Sequence, residues 1–184
     1  MEPLVSIILP TYNRGEMITP SIESVLRQSY KNWELIIVDD ASTDNTHVVV
    51  QRYTENNPNI IYHKLKINGG ACVARNAGIN LSRGEFVSFL DSDDEYFPDK
   101  ISMQVDCFIN SKIENLGVVS CGRADYRDNV KYYEWVPNFK GDILNNLLRK
   151  DRVGAGTPFL MLKKRVIMDN NLFFDPMMPA GQDW

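Results

Sequence analysis

Cysteine, histidine and positive charge are all in short supply in this chain, and each shortage removes a class of function. The three cysteines, Cys72, Cys107 and Cys121, stand far apart in 184 residues and form no Cys-x-x-Cys pair. That argues against a structural zinc site and suits reduced thiols in a cytosolic protein. The two histidines, His47 and His63, are isolated, and neither an HExxH nor a GxSxG motif is present, which removes zinc-protease and serine-hydrolase signatures. Lys and Arg number 20 against 24 Asp and Glu, for a formal net charge of −4. A general nucleic-acid binder carries the opposite balance. No apolar run approaches the roughly 20 residues of a membrane span. The N-terminus, Met1 to Val5, lacks the basic stretch and long apolar run of a secretory signal. Taken together, a soluble protein of the cytoplasm is expected, or one peripheral at the inner face of the membrane. Glycine-rich phosphate loops are missing as well: neither P-loop spacing nor GxGxxG occurs.

The chain does have strong alternation. Short β-branched runs at Val5–Leu9, Glu34–Val38, Ile60–His63 and Glu85–Leu90 predict buried strands. Between them lie helical patterns: Ile18, Ile22, Val25 and Leu26 in the first, Val48, Val49 and Tyr53 in the second, Val73, Ala74, Ala77 and Ile79 in the third. Strand and helix in turn predict an α/β fold with a mostly parallel sheet flanked by helices. After Pro98 the spacing predicts a helix over 99–110 and a strand over 116–121. An edge strand or hairpin is expected over 126–136, a helix over 142–150, a strand over 159–162 and a helix over 163–170. The chain ends at Gly181-Gln182-Asp183-Trp184 with no stop signal for any element, so it reads as truncated.

Ligands of parallel sheets bind at the carboxyl ends of the strands. The loops expected there are Pro10-Thr11-Tyr12-Asn13-Arg14, Asp39-Asp40-Ala41-Ser42, Asn68-Gly69-Gly70 and Asp91-Ser92-Asp93-Asp94. In the last, two carboxylates one residue apart can converge on a hard cation such as Mg²⁺ or Mn²⁺, which shares its shell readily with a diphosphate. The same residues also fit a solvated turn capping the next helix. Capping accounts for Ser42, Thr43 or Asp44 but not for Asp39, which suits a ribose or a base. Gly69 and Gly70 open a helix whose N-terminus attracts phosphate, with Arg75 one turn in. The aromatic stretch Tyr126 to Trp135 fits either sugar stacking or an edge strand. Asp183, by spacing alone, is a surface carboxylate near the end of the chain.

Five segments in the first hundred residues resemble glycosyltransferase family two: Val5 to Arg14, Ser24 to Tyr30, Glu34 to Thr46, Asn68 to Gly78, and Gly84 to Asp94. The resemblance implies a GT-A fold over residues 1–184. Residues 1–97 would be the nucleotide-sugar-binding half and 98–184 a partial acceptor-binding half. It implies inverting transfer from a nucleotide sugar, most often a UDP-sugar, to an acceptor hydroxyl in cell-surface polysaccharide or glycoconjugate synthesis. The acceptor would be a glycan, a lipid-linked sugar or a protein, and the missing C-terminal region would carry any membrane association. By that likeness the donor is held by Pro10, Thr11, Tyr12, Arg14, Asp39, Asn68, Arg75, Asp91 and Ser92. Asp93 and Asp91 would hold Mn²⁺ or Mg²⁺, and Asp183 would be the general base. The family's late motif usually begins with Glu where this chain has Gln182. Two other readings were weighed: a sugar-nucleotide-binding module without transferase activity, and a sugar nucleotidyltransferase. The loop after the first strand lacks the basic, Gly-rich character of the latter.

Overall fold

Two strands of unbroken apolar character fall in the middle of the sheet. In a computed structural model that describes residues 2–138, 140–141 and 156–178, strand β1 (Val5–Thr11) and strand β2 (Trp33–Asp39) are buried at every residue. Strands buried on both faces need no apolar–polar alternation. They pair in parallel, Val5 opposite Trp33 through Thr11 opposite Asp39. β3 (Ile60–Lys64) pairs in parallel with β2, and β4 (Phe86–Phe89) with the other side of β1. The helices between them are α1 (Ile18–Leu26), α2 (Thr46–Thr54) and α3 (Gly70–Leu81).

After β4 come α4 (Lys100–Asn110), β5 (Val118–Ser120), a separate two-stranded sheet of β6 (Arg123–Arg127) and β7 (Val130–Trp135), β8 (Leu160–Lys163) and α5 (Lys164–Asp169). The main sheet runs β3-β2-β1-β4-β8-β5. β8 is antiparallel to both β4 and β5. The expected fold class is therefore observed, and the 126–136 stretch holds the end of β6, the turn and all of β7 of one hairpin. The helix expected over 142–150 lies outside the described residues.

Side chains alternate between the sheet's two faces. Val5, Ile7, Leu9, Leu35 and Ile37 pack on one side with Ile18, Ile22 and Val25 of α1 and Ile101 and Val105 of α4. Ile8 faces the other way, with Ile79 of α3. There Gly78 presses directly on β1: a Cβ at that position would stand 2.3 Å from Ile8 Cγ2. Ile8 is fully buried and stiff at χ1. Gly78→Ala is therefore expected to cost roughly 1–3 kcal/mol, despite its better helix propensity. Urea unfolding checks it, and an unchanged midpoint would mean that α3 is free to lift.

Behind the carboxyl end of β4 sits a buried lysine. Lys100 Nζ donates to Ser88 Oγ at 2.5 Å and lies 3.9 Å from the Tyr96 ring centroid. Ser88 also bonds Leu160 O at 3.0 Å, and the Tyr96 hydroxyl donates to Phe89 O. Burial pushes the Lys100 ammonium down to about 7, and no carboxylate among the described residues is bonded to it. The unfolded chain then holds one more proton than the folded chain between about pH 7 and the ordinary lysine range. Native stability should therefore rise with pH across that window. Lys100→Met is expected to raise the unfolding free energy by roughly 2–4 kcal/mol near pH 6–7. The gain should shrink as pH climbs toward 10, and denaturation at three pH values measures it. A gain independent of pH would show that Lys100 is neutral or solvated throughout.

Candidate active site

The sheet order brings four loops to one end. β1 to β4 are all parallel, so every loop that follows them leaves from the same edge. The chain steps outward from β1 through β2 to β3, then returns to β4 on the far side of β1. The crevice between β1 and β4 is thus the reversal point where open α/β sheets bind ligands.

The first two loops are stitched together by polar bonds. Asn13 takes a left-handed backbone, φ 50°, which Asn tolerates better than most residues. Its amide donates to Ser42 Oγ at 2.8 Å, and its Oδ1 accepts Thr43 N at 2.8 Å. Gly15 N donates to Asp44 Oδ2 at 3.0 Å, and Asp40 N to Thr11 O at 2.8 Å. Ser42 is therefore engaged across the loops rather than as a helix cap. Asp44, one residue ahead of the N-cap Asn45, accepts Thr46 N at 3.0 Å, and α2 begins at Thr46, later than the sequence suggests. A cavity of about 470 Å³ is lined by Asn13, Arg14, Glu16, Met17, Thr43, Asp44 and Asn45. It shares only Arg14 with the predicted donor-binding residues.

The paired aspartates of the second loop have separate duties. Asp39 is fully buried. Its Oδ1 accepts Ser42 N at 2.7 Å, and its Oδ2 accepts the Tyr62 hydroxyl. Burial, and then the Asp39 carboxylate, push that phenol well above its ordinary range. Asp40 reaches the third loop, where its two oxygens accept Gly69 N at 2.8 Å and Gly70 N at 2.7 Å. The start of α3, expected to attract phosphate, is thus satisfied by the protein's own carboxylate. Asn68 Nδ2 donates to Asp40 O at 3.1 Å, which ties the same corner. The sequence reading assigned Asp40 no duty; its position ahead of Gly-Gly on a neighbouring loop was the available signal.

The fourth loop is the acidic turn. Asp94 N bonds Asp91 O at 3.1 Å, closing the turn. Ser21 Oγ of α1 donates to Asp94 O at 2.7 Å, and Ser24 Oγ accepts Tyr96 N at 3.0 Å. These two serines looked like ordinary helix positions, and only the fold reveals that they anchor the turn. Asp91 to Asp94 do not cap α4, which starts at Lys100 behind Asp99 with no side-chain cap bond. The capping alternative therefore falls away. Ser92 is buried, and the Asp93 side chain is 53% exposed.

Two arginines meet this turn, Arg14 from the loop after β1 and Arg75 from α3. Arg75 is nearly buried, and its Nη2 pairs with Asp91 Oδ1 at 2.8 Å. Arg14 Nη2 reaches Asp93 Oδ2 at 3.9 Å, an exposed pair of little energetic worth. Desolvation, then the Asp91 and Asp93 charges, push the Asp94 carboxyl up to about 6. The Arg75 guanidinium also lies 5.4 Å from the Phe174 ring centroid. Phe174 is held to α3 by Asn76 in both directions, at 2.8 and 2.9 Å. Sequence reasoning passed over Asn76 and Phe174, because nothing local links positions 98 residues apart.

Pro10 and Thr11 end β1, Thr11 buried opposite Asp39, while the Tyr12 side chain beside them is exposed. The structure thus gathers Pro10, Thr11, Tyr12, Arg14, Asp39, Asn68, Arg75, Asp91, Ser92 and Asp93 at one end of the sheet. Asp183 lies outside the described residues. Among those described, no three His, Cys, Asp or Glu side chains converge as a complete metal cage. The donor set still fits a hard divalent ion. Asp91 and Asp93 offer carboxylate oxygens one residue apart, and such ions commonly take their remaining ligands from water and phosphate.

Residues 6–170 match the family model described as glycosyl transferase family 2. Over 105 residues, 57% of this chain, it is 45% identical to TuaG of Bacillus subtilis (strain 168), assigned as a teichuronic acid biosynthesis glycosyltransferase. Over 110 residues it is 40% identical to WfgD of Escherichia coli, a UDP-Glc:alpha-D-GlcNAc-diphosphoundecaprenol beta-1,3-glucosyltransferase. The alignments cover 42% and 43% of those relatives, so the chain spans about two-fifths of their length. S. aureus TarS (residues 1–349) in complex with UDP superposes with a TM-score of 0.76 at 27% identity, over 97% of this chain and 52% of that one. Family match, relatives and GT-A architecture agree, and the chain belongs to glycosyl transferase family 2.

Proposed function

We propose that this chain transfers a sugar, with inversion, from a UDP-sugar to an acceptor hydroxyl, and that a divalent ion, Mn²⁺ or Mg²⁺, is held by Asp91 and Asp93. The observation that carries the reading is the acidic turn. Its two spaced carboxylates lie at the reversal point of the sheet, and each is met by an arginine from elsewhere, Asp93 by Arg14 of the loop after β1 and Asp91 by Arg75 of α3. An acidic protein can hold a diphosphate only where cations are placed for it. Arg14 and Arg75 are two, and a bound divalent ion would supply the charge stabilisation that a departing diphosphate needs. Thr11, Tyr12 and Asp39, at the ends of β1 and β2, would orient the nucleoside, with Pro10, Asn68 and Ser92 shaping the loops around it.

The acceptor hydroxyl needs a base to take its proton as the new bond forms, and Asp183 is assigned that role. UDP as the nucleotide is supported by TarS, whose structure holds it. A lipid-linked glycan is the acceptor class favoured, since WfgD is named for one. On this reading the work would lie at the cytoplasmic face of a membrane; no helix among the described residues is long and apolar enough to cross one.

Isothermal titration with UDP, with and without Mn²⁺, tests the reading. Binding should tighten at least tenfold with the metal. Equal affinity in its absence would remove the ion from the donor site.

A further inference from the structure

The β6–β7 hairpin belongs to neither face of the main sheet, yet it starts at the functional end. β5 is antiparallel to β8, which is antiparallel to β4. β5 therefore runs parallel to β4, and its carboxyl end, Ser120, points to the edge that carries the acidic turn. The hairpin begins three residues later, at Arg123.

Register then sorts its side chains. Arg123 stands opposite Trp135, and Asp125 opposite Tyr133. Directly opposed residues of an antiparallel pair share a face. Arg123 and Asp125 form an ion pair at 3.1 Å, and the Arg123 guanidinium lies 5.4 Å from the Tyr133 ring centroid. Tyr133, Trp135 and Asp125 are half-buried, whereas Tyr126 and Tyr132 are 52% and 62% exposed. One hairpin face thus offers two aromatic rings and an oriented donor–acceptor pair beside the proposed donor site.

That combination has a specific complement. A hexopyranose has an apolar face of axial C–H bonds and an equatorial rim of hydroxyls. The electron-rich faces of Tyr and Trp attract such C–H edges. A guanidinium donates to hydroxyl oxygens, and a carboxylate accepts from hydroxyl hydrogens. We propose that the face formed by Arg123, Asp125, Tyr133 and Trp135 is a hexopyranose platform that stacks a sugar ring next to the acidic turn. The proposal rests on the glycosyltransfer reading and deepens it. The ring bound there belongs either to the donor or to the acceptor end.

Saturation-transfer NMR on the full chain with Mg²⁺, which is diamagnetic, separates these cases. One arm uses UDP, and a second uses UDP-glucose, UDP-galactose and UDP-N-acetylglucosamine. A third adds the methyl glycosides of the same sugars to the UDP-loaded protein. Pyranose ring protons should saturate in the second arm if the platform holds the donor sugar, and in the third if it holds the acceptor. Tyr133→Leu and Trp135→Leu keep apolar bulk without the ring face, and Arg123→Gln keeps a donor without the charge. Each should lower ring-proton saturation at least about fivefold while leaving the uridine protons saturated as in the parent. Ring saturation that survives in the two leucine variants overturns the platform, as does a parent that binds UDP but saturates no pyranose in either arm. UDP failing to bind while a pyranose saturates would fault the donor-site reading alone.

Discussion

Asp93→Ala should lower kcat/KM for transfer by about 10³-fold, equivalent to roughly 4 kcal/mol of transition-state stabilisation, and should erase the metal dependence of UDP binding. The reason is geometric. The Asp93 side chain is open to solvent, and among the described residues its one ion pair is the loose 3.9 Å contact with Arg14, so little of the fold depends on it. Stability should therefore stay within about 0.5 kcal/mol of the parent, as for other exposed side chains. Glu95→Ala is the matched control. It removes the same charge two residues away, from a carboxylate that pairs with Arg27 at 2.9 Å, and it should leave donor binding within about twofold. Equal losses in both variants would reduce the effect to local charge. Undiminished metal-dependent binding in the Asp93 variant would take that residue out of the ion's shell.

Asp183→Asn should separate binding from chemistry. The amide is nearly isosteric and cannot accept the proton of the attacking hydroxyl. The turnover number is expected to fall about 10²–10⁴-fold, the usual contribution of a general base, with the UDP dissociation constant unchanged. Titration calorimetry with UDP and a steady-state rate profile measure the two halves. A variant that keeps more than a tenth of the parent rate would place the base elsewhere in the chain. Gln182, where the family motif usually has Glu, leaves Asp183 as the acidic residue at this point of the sequence.

Much of the first half was legible because its signals are local. The β-branched runs that became β1 and β2 are too short for helices and too apolar for an exposed edge, and both proved buried throughout. Ile18, Ile22 and Val25 kept their helical spacing and their burial. The less legible features all depend on partners distant in sequence. Asp40 looked like the twin of Asp39, yet one caps α3 and the other is bonded to Ser42 and Tyr62. Ser21 and Ser24 looked like polar positions on a helix and instead anchor the turn 70 residues on. Lys100, which no local pattern sets apart, is buried under Tyr96.

Hydrophobic period, strand order and acidic spacing are properties of neighbours along the chain, and from them alone came an α/β protein with carboxylates at its strand ends and a resemblance to one transferase family. Which carboxylates remain open to a ligand could not come from that source. An aspartate's availability depends on whether a backbone amide, a hydroxyl or a guanidinium is brought within 3 Å of it, and such groups arrive from residues 16 to 30 positions away. The parallel order of β1 to β4, which sets the loops that follow them side by side, made those meetings. It gave Asp39 and Asp40 partners inside the protein and left Asp93 facing solvent.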